Sequence, residues 1–287
     1  MEASKRIKQL RRNIIKEVPK FPNDKQSKAA LEAMSVGSLL IVFLSWRMRF
    51  VPEVPRLVTI ADSAKLDGRW PGLQSQIKPF LEKVRKGTDL TPHLSLGAWR
   101  KGYTPAAAQP GKVSDRWADK DFLLNVMGFH HFHLGTTLEK GGFVTRTDEV
   151  LFGQVTRDAF HVLGIFDHTV FDDEDSNAMP AERKRLWHLH EERVFAGLPP
   201  GSFVVAGMIQ TSGHPTLITL LAQRQAKLIG QLDPKLDDSV FVKSTLYRDA
   251  DPAPSKKPKF RWAFRHLDLV LADDANQAYI MIQRGPG

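Results

Sequence analysis

Cysteine is absent from the 287 residues of this chain. Its absence excludes disulfide bonds, thiolate metal ligands and a cysteine nucleophile, and it favours a reducing compartment. Long apolar runs are missing too: the most apolar stretch, residues 39–46, is far shorter than the roughly twenty residues of a membrane span. The basic first twenty residues lack the apolar core of a secretory signal. We therefore expect a cytoplasmic protein with no membrane partner.

Familiar catalytic motifs and internal repeats are also lacking. The sequence contains no P-loop, dinucleotide-binding fingerprint, nucleophile elbow or HExxH motif. Hydrophobic residues make up 42% of the chain, so a folded core is expected without disulfides or structural metals. Function must therefore be argued from individual side chains.

Positive charge is in excess. The formal net charge is +9 and the sequence pI is about 9.7, so the protein attracts polyanions at neutral pH. Nucleic acid is the partner that this charge favours. The alternative is a basic protein whose charge only keeps it soluble.

Residues 1–110 are expected to form a mainly helical N-terminal region with a long loop. Apolar spacing predicts helices at 4–18, 25–48 and 70–84, and a short strand at 57–60. The loop, residues 88–111, places aromatic rings beside cations, as single-stranded nucleic-acid surfaces do. Its candidate nucleic-acid-binding residues are His93, Trp99, Arg100, Lys101 and Tyr103. Alternatively, Trp99 and Tyr103 fix the loop to the core.

Residues 111–175 are expected to form a helix and a three-stranded antiparallel meander. The helix is predicted at 115–127 and the strands at 129–134, 149–156 and 160–168. Alternation along the first strand places His131 and His133 on one face with Phe129. In such a sheet, His131, His133, Arg146 and His168 meet near one edge or end.

The order of short motifs in this region resembles the core of the RelE/ParE toxin superfamily over residues 117–171. The motifs are H-x-H-L-G ending at Gly135, Arg146 with Asp148, V-L-F at 150–152 and I-F-D-H at 165–168. The resemblance implies a bacterial toxin or host-defence effector, with an antitoxin protein as a possible partner. One departure is Phe171, where the family often has a tyrosine after the histidine.

The ribonuclease branch of that family implies metal-independent RNA cleavage with no cofactor. A base takes the ribose 2′-hydroxyl proton, the oxygen attacks the adjacent phosphorus, and cations hold the developing charge. In that mechanism His131, His133, Arg146 and His168 are the catalytic candidates, with Arg146 as the phosphate clamp and His168 as acid or base. The ParE branch acts on DNA gyrase, so the alternative is a non-enzymatic, toxin-like protein that binds a protein or nucleic acid.

Metal binding is a third possibility for the same residues. Imidazoles at i and i+2 on a strand can share an ion, with His168, Asp167 or Asp148 as a third ligand. The competing interpretation is that these histidines are half-buried and form hydrogen bonds to the backbone. We adopt this interpretation and expect no bound metal.

Residues 176–287 are expected to be an α+β region, possibly continuous with the central sheet. Helices are predicted at 181–195 and after Pro215, and strands at 203–209, 262–271 and 278–283. Residues 239–247 are predicted as a strand or a short helix. The turn before the second helix places Ser212, Gly213 and His214 at a helix N-terminus, where backbone amides can bind an anion. Helix capping by Ser212 is the alternative. The whole chain is thus expected to be α+β: a helical N-terminal third followed by a mainly antiparallel sheet with flanking helices.

Overall fold

The computed structural model describes residues 3–105, 120–172, 179–199, 202, 204, 207–248, 255 and 258–286. The fold is α+β, with helices flanking two sheets. The chain divides into two compact units, one from residues 1–48, 100–119 and 216–286 and one from 49–99, 120–215 and 287. Both units combine separate stretches of the chain.

The first unit packs helices against a three-stranded antiparallel sheet of order β5-β6-β7. Its helices are α1 (Lys5–Glu17), α2 (Lys25–Ala33), α3 (Val36–Arg47), α9 (Thr216–Leu232) and α10 (Ser239–Phe241). Its strands are β5 (Phe260–Arg265), β6 (Asp268–Asp273) and β7 (Ala278–Gln283). Helix α3 packs along α9, and α1 packs on β5.

Two predicted elements of this unit were wrong because turns interrupt them. The single helix expected at 25–48 breaks at Met34, and the Ser35 hydroxyl caps α3 by accepting the Ser38 N–H. The single strand expected at 262–271 is a hairpin that turns at His266, whose φ is 53°. The possible continuity with the central sheet was also wrong, since β5–β7 form a sheet of their own.

The second unit is built on a four-stranded sheet of order β1-β4-β3-β2. Strands β2 (Phe129–His133), β3 (Glu149–Val155) and β4 (Ala159–Asp167) form the predicted antiparallel meander, which is confirmed. Strand β1 (Leu57–Ile60) adds in parallel to β4. The helices around this sheet are α4 (Asp62–Lys65), α5 (Gln74–Lys86), α7 (Phe122–Met127) and α8 (Ala181–Phe195), and the short α6 spans Leu96–Arg100.

Each face of this sheet covers its own apolar core. On one side α5 packs Phe80 and Leu81 against Phe132 and Leu151. On the other side Phe129, Phe152 and Phe166 pack with α8. Because successive side chains of β2 point to opposite faces, one strand supplies both cores. This alternation fixes where its histidines point.

Several predictions fall on the margins of the described residues. Residues 106–119 lie outside them, which includes the expected start of the helix at 115–127. The continuous helix expected through residues 120 and 121 was wrong, because α7 begins at Phe122 with Asp121 as its cap, and it ends at Gly128 in the left-handed region, with φ 72°. Residues 203, 205 and 206 of the strand expected at 203–209 are likewise outside, and among its described residues only Ile209 pairs, in an isolated bridge with Pro215. Residues 239–246 are helical, as α10 and a π turn.

Among the described residues, no helix combines the length and apolar character needed to cross a membrane.

Candidate functional site

Strand β2 forms one edge of the four-stranded sheet and directs His131 and His133 to the same face. His131 packs against Phe152 and Phe171, with ring centroids 5.7 and 4.8 Å away. His130 points to the opposite face and stacks on Phe132. The period of two predicted from the sequence is therefore confirmed for these histidines.

His133 is joined directly to Arg146. Arg146 Nη1 lies 2.5 Å from His133 Nε2. A guanidinium cannot accept a hydrogen bond, so His133 Nε2 accepts and its proton resides on Nδ1. Burial lowers the pKa of His133 to about 3, with Arg146 as the next cause. His133 is therefore a neutral, buried acceptor at physiological pH.

His168 lies in the 3₁₀ turn His168–Phe171 that directly follows β4. Its Nδ1 lies 2.8 Å from the carbonyl oxygen of Asp148 and must donate to it. The lone pair of the neutral ring is therefore on Nε2, which has no partner among the described residues. The ring stacks on His133 at 5.6 Å with 24° between the planes. His168 is exposed as a residue.

Arg146 is exposed as a residue, although burial lowers the pKa of its guanidinium and the nearby Glu139 raises it. Apart from the bond to His133, its N–H donors have no partner in the described part of the chain. The side chain therefore presents donors from a position beside His133, whose ring stacks on His168.

His131 completes the group. Burial lowers its pKa, Asp121 opposes that shift, and Arg146 and His168 reinforce it. Phe171 contacts both His131 and His168. The structure thus brings together His131, His133, Arg146 and His168, which we call the imidazole–arginine cluster. Arg146 and His168 are its exposed members.

Two further residues, His93 and Lys83, form a chain of hydrogen bonds to the backbone of His133. His93 Nδ1 donates to the backbone carbonyl of His133 at 2.7 Å, and His93 Nε2 accepts from Lys83 Nζ at 2.9 Å. His93 is buried, and burial lowers its pKa. Sequence reasoning missed Lys83, because nothing local to α5 indicates that its ammonium group reaches a histidine ten residues later.

The expected nucleic-acid surface at residues 93–103 needs correction. His93 and Tyr103 are buried, at 3% and 8% exposure, so neither ring is open to a base. Tyr103 is fixed instead by backbone bonds to Pro19 and Phe21.

The other members of that set differ in their surroundings. Trp99 is half exposed and packs edge-on against Phe50, while Arg100 is exposed. The Lys101 ammonium lies 4.6 Å from the Phe21 ring centroid. Trp99 belongs to the second unit, whereas Arg100, Lys101 and Tyr103 belong to the first.

The expected anion site at Ser212, Gly213 and His214 also needs correction. The Gly213 N–H donates to the Gln210 carbonyl at 2.8 Å, so this amide is not free for an anion. The Gly213 carbonyl accepts from Asn125 Nδ2, a contact that sequence reasoning missed. His214 is buried, which lowers its pKa to about 3. Ser212 remains exposed.

Within the described ranges, no group of three or more histidine or carboxylate side chains is arranged to hold a metal ion. In the cluster, His133 Nε2 faces Arg146 instead of a shared ligand position.

Comparisons with protein-family models, with curated proteins and with solved structures find no match to this chain.

Proposed function

We propose that the chain is a metal-independent endoribonuclease of the bacterial toxin or host-defence type, built on a RelE/ParE-like core. The observation that carries the proposal is the Arg146–His133 hydrogen bond, with the exposed His168 ring stacked on His133. A phosphate clamp and a proton acceptor are the two groups that attack by a ribose 2′-hydroxyl requires.

His168 acts as the general base in this proposal. Its Nε2 takes the 2′-hydroxyl proton, the 2′-oxygen bonds to the adjacent phosphorus, and the bond from phosphorus to the 5′-oxygen breaks. The products are a 2′,3′-cyclic phosphate and a 5′-hydroxyl. The 5′-oxygen takes its proton from solvent, because the lowered pKa values of His131 and His133 leave those rings neutral.

The neutral partner of Arg146 matters for phosphate binding. Arg69, by contrast, is paired with Asp67 at 2.8 Å, so a carboxylate compensates its charge. His133 orients Arg146 without compensating its charge. The guanidinium can therefore direct its full positive charge at non-bridging phosphate oxygens. His133 and His131 act as positioning residues, and Phe171 contacts both His131 and His168.

The net charge of +9 supports RNA as the substrate. A cytoplasmic site of action and an antitoxin partner that covers the cluster belong to the same proposal.

A non-enzymatic binding protein is the second candidate. The observation in its favour is that His168 alone among the three imidazoles of the cluster is exposed, whereas many acid–base phosphoryl-transfer sites use two titratable groups. The same arginine and histidine would then contact a partner without chemistry.

The experiment incubates the purified full chain with end-labelled single-stranded RNA in EDTA. We expect cleavage that leaves 2′,3′-cyclic phosphate ends and stops when the attacking ribose is replaced by 2′-deoxyribose. His168→Ala and Arg146→Ala should each lower the rate by at least about 100-fold, the usual scale of a lost general base or charge-stabilising donor.

The matched controls are His188→Ala and Arg85→Ala, which remove an exposed histidine and an exposed arginine from α8 and α5. Both should cleave like wild type. Intact RNA with folded wild-type protein, or equal rates in all variants, would refute the nuclease and favour the binding protein.

A further inference from the structure

The three-stranded sheet of the first unit has one face turned away from its helices. The register aligns Arg261, Ala272 and Tyr279 in one row across the sheet. The next row is Ala263, Val270 and Met281. The opposite face carries Trp262 and Phe264, which pack with the helical core. We call the side with Arg261, Arg265, Tyr279 and Met281 the outer sheet face.

Large side chains on this face are exposed although they lie on regular strands. Tyr279 is 54% exposed and Met281 is 44% exposed. Between Arg261 and Tyr279 the central strand has only Ala272, and the small side chain leaves a cavity of about 210 Å³. Asp274 and Gln277 also line this cavity. A flat aromatic wall beside a shallow cavity suits a planar ring.

The outer sheet face carries two arginines, and one of them is paired with a carboxylate. The Arg265 guanidinium lies 5.6 Å from the centroid of the Tyr279 ring, and Arg265 forms no ion pair among the described residues. Arg261 is held in place by Asp274, with Nε 2.8 Å from the carboxylate. The Tyr279 ring therefore has one cation over it, whereas Asp274 compensates the charge of Arg261 across the cavity.

We propose that the outer sheet face binds single-stranded RNA, with one base stacked on Tyr279 and the adjoining phosphate on Arg265. Aromatic rings stack on any base, and nearby arginines follow the backbone, which is how single strands are bound without sequence preference. Gln277 places an amide where it can hydrogen-bond to the edge of that base. A duplex does not fit, because its bases are already stacked on one another.

This site is separate from the imidazole–arginine cluster, and its test does not depend on cleavage. All binding measurements use the full chain carrying His168→Ala, so that the RNA stays intact if the nuclease proposal is correct. The probe is a fluorescent ten-nucleotide oligouridylate, followed by anisotropy. Single-stranded DNA of matched length and a duplex RNA are the comparison probes, and thermal melting verifies that each variant is folded.

Tyr279→Ala should weaken binding of the oligouridylate by at least about fivefold, the lower end of what loss of one stacked base costs. Tyr279→Phe retains the ring and should bind like the parent chain. Arg265→Ala should weaken binding and make the slope of log affinity against log salt shallower by about 0.7, the value for one phosphate contact on a single strand.

The matched control is Phe195→Ala, which removes another half-exposed aromatic side chain, from α8. It should leave binding unchanged. Undiminished binding by Tyr279→Ala, equal losses in Tyr279→Ala and Tyr279→Phe, or preference for the duplex probe would each overturn the proposal. These outcomes concern binding alone, so they are distinguishable from a failure of the nuclease test.

Discussion

Acidification should destabilise this protein through His133. The folded state holds the ring neutral with a pKa of about 3, whereas an unfolded histidine titrates near 6.5. Below pH 6.5 the unfolded chain binds a proton that the folded chain does not, so the free energy of unfolding falls with pH. With a folded pKa of about 3, His133 alone accounts for a loss of about 2 kcal/mol between pH 7 and pH 5.

His133→Gln isolates this contribution. The glutamine amide oxygen can still accept a hydrogen bond from Arg146, but the side chain does not titrate in this range. Urea unfolding at pH 7 and pH 5 gives the free energy of unfolding for each protein. We expect wild type to lose about 2 kcal/mol more than His133→Gln over this interval. The other histidines with lowered pKa values, His93, His131 and His214, cancel in the comparison.

His188→Gln is the matched control, because the His188 side chain is 70% exposed. Its loss between the two pH values should equal that of wild type. If His133→Gln loses as much stability as wild type, His133 is not a buried neutral acceptor. The proposed role of that ring in orienting Arg146 would then have no basis.

Two further substitutions each test a contact inside one of the two units, and urea unfolding measures their effect on stability. Gly135→Ala would place its Cβ 2.0 Å from the Thr145 carbonyl oxygen and should cost about 1–3 kcal/mol. Gly141→Ala, with nothing within 4 Å, is its control, and equal stability of the pair would contradict the close approach. Asp233→Ala removes the buried acceptor of the Trp262 indole at 2.8 Å and should cost about 1–3 kcal/mol, because it leaves that buried donor unsatisfied, whereas Arg6 keeps its pair with Asp237. Asp233→Asn should recover part of that loss, and a cost below about 1 kcal/mol would contradict the assignment.

Local patterns predicted the elements whose determinants lie within a few residues. The helix at Lys5–Glu17 begins where Ser4 caps it, and the helix at Ala181–Phe195 has the predicted bounds. The meander followed from alternation bounded by turns, and that alternation placed His131 and His133 on one face. Such signals are readable because caps and periodicity act over one or two turns of chain.

Interruptions of long apolar stretches were harder to predict. In the hairpin of β5 and β6, Trp262 and Phe264 pair with Leu271 and Leu269, so the positions on this face change from even to odd numbers along the chain. That change was the available signal for a turn at His266. Ser35 gave a weaker signal, because a serine among good helix formers marks a cap only when the chain turns there.

By itself the sequence determined the α+β class, the antiparallel meander and the shared face of two histidines, because each depends on short-range periodicity. Only the tertiary structure decided which candidate site residues are exposed to solvent and which are buried. His93 and Tyr103 looked like surface groups beside cations but are buried, while Arg146 and His168 remain exposed. The hydrogen bonds that fix the protons of His93, His133 and His168 join residues 10 to 40 positions apart. No local pattern encodes contacts over such separations, because they form only when distant strands and helices pack together.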